Sequence, residues 1–258
     1  MKILITGGNG YIAKSIHSAL CSKYDIILIT RQDFDLTDHV AAFNFFQDKH
    51  FDIVIHTATV GGNRLKEDPD SVIRENLLMY RNLLANQDSF TKFISFGSGA
   101  ELDNPITPYG ISKQVISESM FSKENFLNIR VFAVFDENEL PTRFIKGNIL
   151  KYIKGENIIV HEDKFMDFFY MADLITLVDY FICSKEWLHK EIECTYFEAY
   201  KLTEIAQMIN DLDDHKVSIE LVGQTTGKPY VGVWGGLPIP LVGLKDGIKK
   251  TYKKLKND

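Results

Sequence analysis

Tyr109 and Lys113 stand four residues apart in Thr107-Pro108-Tyr109-Gly110-Ile111-Ser112-Lys113. On a helix that spacing puts a phenol and an ammonium on one face, about 5–6 Å apart at Cβ. An opposite charge so close favours the ionised phenol. The pair could therefore exchange a proton with an alcohol or a ketone near neutral pH. Ser98 lies eleven residues before Tyr109, where the apolar run Lys92-Phe93-Ile94-Ser95-Phe96 gives way to Gly97-Ser98-Gly99-Ala100. A hydroxyl at a strand's C-terminal end faces the crevice where α/β folds bind ligands. Ser98 and Tyr109 could then hydrogen-bond one substrate oxygen, with Lys113 beside them. Tyr-x-x-x-Lys alone is common on surface helices, so the weight of this reading comes from what precedes it.

Upstream, Lys2-Ile3-Leu4-Ile5-Thr6 reads as a buried parallel strand. It runs into Gly7-Gly8-Asn9-Gly10-Tyr11-Ile12-Ala13 and a helical stretch to about residue 21. The glycines permit a tight turn and let the backbone approach a pyrophosphate resting on amides at the helix N-terminus. Gly7, Gly10, Tyr11 and Ile12 are the contacts this predicts; a ligand-free βα turn is the alternative. A second strand over 25–31 ends in Thr30-Arg31. NAD-preferring proteins usually carry an acid there, whereas a guanidinium suits a 2′-phosphate, so NADPH is the expected cofactor. The alternative is an ordinary exposed charge. Asp35 and Leu36 are expected along the adenine edge, with Asp38 capping a helix over 38–50. A third strand, 51–55, breaks into His56-Thr57-Ala58-Thr59-Val60-Gly61-Gly62-Asn63, whose small residues would let a cofactor pass. His56 is either a ligand contact or a satisfied structural histidine. An amphipathic helix over 70–86 carries Asn76, a poor helix-interior residue. Its side chain either holds water or backbone near the site or is exposed.

Length and composition set the bounds. With 258 residues, 45% hydrophobic, the chain can form one medium unit or two joined lobes. A net charge of −6 gives no reason to expect nucleic acid or an anionic membrane. The lysines of 249–256 read as a solvated helix face. Cys21, Cys183 and Cys194 show no CxxC spacing and are expected as reduced thiols of a cytoplasmic protein. Met1-Lys2-Ile3 runs straight into the first strand, so no secretory leader is expected. No apolar run approaches the roughly 18 residues of a membrane span, and no metal-ligand cluster or repeat stands out. Further on, a strand is expected over 127–135, helices over 144–154, 174–183 and 203–210, and a short strand over 157–160. Phe168, Phe169 and Tyr170 are expected in the core. The Gly- and Pro-rich 223–243 stretch, with Trp234, fits a lid or a packed turn.

Gly7, Gly10 and Ala13, the His56-Thr57-Ala58 loop, Asn76, Ser98, and Tyr109 with Lys113 together resemble the extended short-chain dehydrogenase/reductases that act on nucleotide sugars. The segment from Thr30 to Asp38 and the Val60-Gly61-Gly62-Asn63 loop resemble the GDP-L-fucose synthase branch. The resemblance is good over 1–125, patchy to about 180 and weak beyond. It implies an α/β doubly wound parallel (Rossmann) sheet with a small C-terminal substrate-binding cap. The NADP-binding domain would span 1–135, joined by about 165–195, and the cap 136–164 and 196–258. It further implies that Ser98 and Tyr109 contact a sugar C4 oxygen, and that Lys113 binds the nicotinamide ribose and lowers the Tyr109 pKa. Gly62, Asn63, Gly99, Ala100 and Arg143 would line the substrate, and a homodimer would pair through helices over about 72–86 and 109–122.

The departures narrow the activity. Fucose synthases epimerise C3 and C5 with a cysteine two residues after the serine and a histidine further on; here Ala100 takes the first position and Arg143 falls near the second. Neither can exchange a carbon-bound proton. Dehydratases carry Asp-Glu directly after the hydroxyl residue, where this chain has Gly99-Ala100, with Glu101 one position late. Arg31 contradicts the acidic strand end usual in UDP-hexose 4-epimerases. Relatives' substrate asparagine is replaced near Ala133 and their nucleotide-binding arginine by Met166, for which Lys164 or Arg143 could substitute. What survives is ketone reduction without epimerisation or dehydration, and the resemblance then implies an NADPH-dependent reductase of a nucleotide-diphospho-4-keto-6-deoxy sugar. A bifunctional epimerase/reductase, a 4-epimerase and a non-catalytic NADP-binding sensor stay open beside it.

Overall fold

Strands buried on both faces must be apolar throughout, and three such runs form the middle of the sheet. In the computed structural model, which describes residues 1–63, 66–224 and 227–257, these are β1 (Lys2–Thr6), β3 (Phe51–His56) and β4 (Phe90–Ser98). Ile3, Leu4, Ile5, Val54, Ile55, Phe93 and Ile94 are fully buried. Each such side chain contributes roughly 1.5–3 kcal/mol relative to exposure. With β2 (Asp25–Ile29), β5 (Phe126–Val131) and β9 (Glu191–Cys194) they make a six-stranded parallel sheet in the order β2-β1-β3-β4-β5-β9. Ile5 sits opposite Leu28 on one side and Ile55 on the other, and Ile55 opposite Ile94. Strand order reverses beside β1, so the C-terminal ends of β1 and β3 flank a topological switch point.

Helices α1 (Tyr11–Leu20), α2 (His39–Phe46), α3 (Ser71–Leu84) and α4 (Pro108–Met120) connect these strands. α1 buries Ala13, Ile16 and Leu20, the three- and four-residue spacing of one helix face. Asp38 caps α2 as expected, accepting the Val40 and Ala41 amides at 2.9 and 3.1 Å. α2 stops at Phe46, short of the predicted residue 50. α4 begins at Pro108, which needs no amide partner in a first turn, and Thr107 Oγ1 accepts the Gly110 amide at 3.1 Å. This placement sets Tyr109 in the helix's first turn and Lys113 one turn later.

The chain divides into two compact units, one of Met1–Arg130 and Asp179–Ile192, the other of Val131–Val178 and Glu193–Asp258. In the second, the strand predicted over 127–135 proves to be broken: β5 ends at Val131, and β6 (Val134–Phe135) pairs with β8 (Phe169–Tyr170). α5 (Phe144–Ile153), α7 (Leu202–Asn210) and α8 (Leu244–Asn257) pack around Tyr152, Ile205 and Ile248. Phe168, Phe169 and Tyr170 are core, as expected. α6 (Met171–Cys183) starts three residues earlier than predicted. α8 buries Leu244, Ile248 and Tyr252, leaving most of its lysines exposed. The short strand predicted over 157–160 is β7 (Ile158–Glu162), and it pairs with β10 (Ile219–Gln224), which was not foreseen. Thr225 and Thr226, within the Gly- and Pro-rich stretch, lie outside the described residues.

From Gly227 onward that stretch is pinned rather than loose. Gly232 donates to Asp167 Oδ2 (2.8 Å), Val233 to Glu193 Oε2 (2.6 Å), and the Val242 and Gly243 amides to Asp173 (2.8 and 3.0 Å). Burial pushes the Asp167 carboxyl up to about 6; the Gly232 amide opposes this and the nearby Glu193 charge adds to it.

One polar contact ties the two central strands together. His56 Nδ1 and Thr6 Oγ1 lie 2.8 Å apart in the core, with His56 only 2% exposed. Burial pushes the imidazole down to about 3 from 6.5, and the charge of Lys113 adds to the effect. The unfolded chain therefore binds a proton here that the folded chain does not, over about pH 3 to 6.5. Stability should rise with pH across that window, with a contribution of about 3–5 kcal/mol that is complete above it and lost on acidification. Urea titrations across the window, comparing the wild type with His56→Asn, check this. The variant should flatten the dependence, and equal slopes would show that His56 is not the group responsible.

Candidate active site

The turn after β1 is shaped to bring backbone close to something else. Gly7 has φ +71°, and a Cβ on it would lie 2.7 Å from the Ala58 Cα and N. Only glycine fits such an approach at such a φ. Gly10 donates to the Gly7 carbonyl (2.8 Å) and Gly8 to the Ile29 carbonyl (2.8 Å), which ties the turn to β2. Gly10 is the α1 N-cap and offers no side-chain oxygen to the first-turn amides of Tyr11 and Ile12. A helix start whose N-cap residue has no side chain, beside a cradle a Cβ would fill, fits a pyrophosphate. Thr57 and Ala58 close the other side: Thr57 Oγ1 donates to the Thr6 carbonyl (2.7 Å), and the Ala58 amide to Thr6 Oγ1 (3.2 Å).

Arg31 follows β2 with its side chain 66% exposed and its nearest carboxylate, Glu75, 4.0 Å away. The guanidinium is thus available to an anion. The surrounding acids are engaged locally: Asp33 accepts the Thr30 amide and hydroxyl (2.8 and 2.9 Å), and Asp35 those of Thr37 (2.9 and 2.8 Å). The Thr37 amide foremost, with its hydroxyl, holds the Asp35 carboxyl below its usual range. Leu36, expected along the adenine edge, is instead core, because its side chain packs with Phe46 and Leu83.

Two residues whose roles were open, His56 and Asn76, hold neighbouring structure in place. His56 turns inward to Thr6, so its ring supports the loop from beneath. Asn76 is buried and grips Val60 twice, Oδ1 accepting its amide (2.8 Å) and Nδ2 donating to its carbonyl (3.0 Å). Nδ2 also donates to Ser112 Oγ (2.9 Å), and Ser112 Oγ to the Tyr109 carbonyl (2.7 Å). One amide therefore sets the 57–63 loop against α4. Of the alternatives for Asn76, backbone holding is what the fold uses.

The reactive set lies in the same unit. Ser98 ends β4 and caps the short 3-10 turn Gly99–Glu101, its Oγ accepting the Ala100 amide (3.2 Å). Lys113 is 5% exposed; its Nζ donates to the Phe96 carbonyl (2.7 Å) and lies 5.7 Å from the Tyr109 ring centre. Burial pulls the ammonium down to about 8, and the charge of Glu101 works against this. Gly62 lies over the phenol: a Cβ on it would meet Tyr109 Cζ at 3.0 Å. The Asp68 carboxylate fixes it there by accepting its amide (3.1 and 3.0 Å). Asn63 follows, its carbonyl accepting the Lys66 amide (3.3 Å).

Glu101, the acid one position late, is turned inward, for a reason that lay beyond the sequence reading. Its side chain is 1% exposed and paired with Arg130 Nε at 2.6 Å. Asn128 Nδ2 adds a bond of 2.9 Å. Asn128 and Arg130 stand two apart in an otherwise apolar strand, and that period-two polar pair was the available signal. Asp68 and Ser112 were also missed, and neither has a motif to betray it. Arg143 belongs to the other unit, where it is the exposed N-cap of α5. Lys164 is bound to Glu162 (2.6 Å), and His161 is exposed on β7. Among the described residues no three or more His, Cys, Asp or Glu could hold a metal, and no helix is long and apolar enough to cross a membrane.

Comparison with known proteins agrees with this geometry at the level of fold. No curated protein matches the sequence. Solved structures do. UDP-glucuronic acid 4-epimerase from Bacillus cereus, in complex with UDP-glucuronic acid and NAD, is 20% identical with a TM-score of 0.78, covering 100% of this chain and 99% of that one. GDP-mannoheptose C4 reductase from Campylobacter jejuni, with NADP bound, is 17% identical with a TM-score of 0.76, over 99% and 98%. A GDP-D-glycero-L-gluco-heptose synthase from Campylobacter jejuni, in the presence of NADPH, is 17% identical with a TM-score of 0.78, over 100% and 98%. The family model that matches spans residues 3–192, and by that match the chain belongs to the NAD dependent epimerase/dehydratase family.

Proposed function

We propose that this chain is an NADPH-dependent reductase of a nucleotide-diphospho-4-keto-6-deoxy sugar, acting in deoxysugar biosynthesis. The observation that carries the reading is a contrast within one site. Tyr109, Lys113 and Ser98 form an intact proton-donating set, while Ala100 has no titratable group and Glu101 is sealed in an ion pair. Nothing at those two positions could move a carbon-bound proton. Solved neighbours that are C4 reductases support it, and the branch nearest fucose synthases in sequence remains part of the proposal.

Gly7, Gly10, Tyr11, Ile12, Thr57 and Ala58 would hold the pyrophosphate and the passing cofactor, and Arg31 the 2′-phosphate. When bound, NADPH supplies the hydride that forms the new C4–H bond. Tyr109 gives its hydroxyl proton to the oxygen as the C=O π bond breaks, so a secondary alcohol results. Ser98 Oγ hydrogen-bonds the same oxygen and orients it. Lys113 makes the phenol a stronger acid by favouring its anion. His56 and Asn76 hold the loop and helix that carry these groups. Gly62, Asn63, Gly99 and Ala100 are assigned to the sugar's surroundings. The same reading has two copies pairing through α3 and α4 in the cytoplasm.

Cofactor choice tests Arg31. The enzyme should prefer NADPH to NADH, and Arg31→Ala should remove most of the preference. A charge-assisted contact to phosphate is worth roughly 1.5–3 kcal/mol, or about 10- to 150-fold in kcat/KM. Equal use of both cofactors by the wild type would refute the assignment.

Turnover tests Tyr109. With purified protein, NADPH and 4-keto-6-deoxy sugars on GDP, dTDP, CDP and UDP, Tyr109→Phe should lower kcat by at least ~100-fold while NADPH affinity holds. Undiminished turnover would remove the phenol from the mechanism.

Isotope exchange tests the stereochemical claim. In deuterated water, product NMR should show C3 and C5 still protonated, after subtracting exchange of the ketone without enzyme. Enzyme-dependent deuterium with inversion at either carbon would reveal a base and return the chain to the epimerase/reductase type.

A further inference from the structure

Glu101 takes no part in the proton transfer just described, yet its side chain is 1% exposed and every contact it makes is specific. Its Oε2 accepts the Ser98 amide at 3.0 Å. Its Oε1 accepts Asn128 Nδ2 at 2.9 Å and Arg130 Nε at 2.6 Å. Arg130 Nη2 reaches on to Glu191 Oε2 at 2.8 Å. Burial disfavours the guanidinium's charge, and the two carboxylates more than offset it. Buried ion pairs are poor stabilisers, since apolar residues of equal volume often do as well. This one, however, lies beside a second buried charge. Lys113 has a neutral carbonyl, that of Phe96, as its hydrogen-bond acceptor. The turn bearing Glu101 packs directly on the helix bearing Lys113: a Cβ on Gly110 would meet the Ala100 carbonyl at 2.4 Å.

The charges facing Lys113 come from several elements. His56 on β3 is neutral over most of the working range, being pushed down to about 3. Tyr109 shares α4 with it. Glu101, on the turn after β4, is the carboxylate whose field raises the Lys113 pKa against burial; Arg130 on β5 and Glu191 on β9 stand behind Glu101.

We propose that Glu101 is a positioning residue of the site, whose carboxylate fixes the Ser98 backbone and supplies the counter-charge that lets buried Lys113 remain an ammonium. The acid that looks like a displaced dehydratase residue is thereby given a different task. The inference rests on the reading of Lys113 and Tyr109 as the proton-handling pair.

The test titrates Lys113 itself. In protein carrying carbon-13 at lysine Cε, the Lys113 resonance is assigned by its loss in Lys113→Arg and followed with pH. Glu101→Gln replaces two acceptors with one acceptor and one donor, and removes the charge. It should lower the Lys113 midpoint by about one pH unit. The alkaline limb of kcat/KM should move down equally, and kcat should fall roughly 10-fold with KM for NADPH little changed. Glu101→Asp keeps the charge and should restore the midpoint. Should Glu101→Gln not fold, Glu101→Gln with Arg130→Met removes both buried charges at once. Its Lys113 midpoint should still fall, though by less, because Glu101 raises it and Arg130, standing behind Glu101, offsets only part of that field. An unchanged midpoint in whichever glutamine variant folds overturns the proposal. The titration needs no sugar, so it decides the role of Glu101 even if no nucleotide sugar is turned over.

Discussion

A cation buried next to a phenol is the constraint on which the first unit depends. Removing an ammonium from water costs several kcal/mol unless a hydrogen bond and a counter-charge compensate. Both are present around Lys113: the Phe96 carbonyl accepts from it, and Glu101 opposes the effect of burial. Each compensation fixes geometry. The Phe96 carbonyl sets the register of β4 against α4. The Glu101 turn needs Ser98 at its start, Arg130 and Asn128 on the neighbouring strand, and a residue without a Cβ at 110. Thr107 and Pro108 then start the helix where Tyr109 falls in its first turn. A neutral side chain at 113 would remove the need for most of this.

Much of the frame was legible because burial on both faces leaves a plain mark. β1, β3 and β4 read as unbroken apolar runs, and the helices between them as periodic ones. The strands that escaped notice lack that mark. β9 is Glu191-Ile192-Glu193-Cys194, and β10 is partly exposed, so both look like ordinary loop. The 127–135 run is apolar enough to pass for one strand, and only pairing with Phe169 and Tyr170 shows the break at Phe132 and Ala133. At the candidate site, Ser98, Tyr109 and Lys113 were proposed from residue type and spacing. The roles of His56, Asn76 and Glu101 depend on partners 50, 36 and 29 residues away, and no local pattern reports such distances.

The same scaffold carries an epimerase and a reductase among its solved neighbours, so the fold does not by itself fix the activity. In this chain positions 100 and 101 are occupied by groups that cannot move a carbon-bound proton. Ala100 is chemically inert, and the nearby acid is consumed by the support of Ser98 and Lys113. Losing a reactive side chain and committing another to structure both limit what the site can catalyse, and the second is harder to reverse. Restoring a cysteine or an acid at 100 would leave Glu101 still engaged by Arg130 and Asn128.

The loop across the phenol has a consequence for how this site could be re-engineered. Its tip is bare backbone lying on the ring of Tyr109, held by Asp68 on one side and Asn76 on the other. Any side chain at 62 would meet the ring at about 3.0 Å and require a φ of +74° that other residues resist. Position 62 is thus closed to diversification, and a mutant library that randomised the whole loop would be filled with members that displace the Tyr109 ring. Selectivity could be reshaped by varying neighbours whose Cβ is already accommodated, such as Thr59 and Asn63, while Gly62 stays constant.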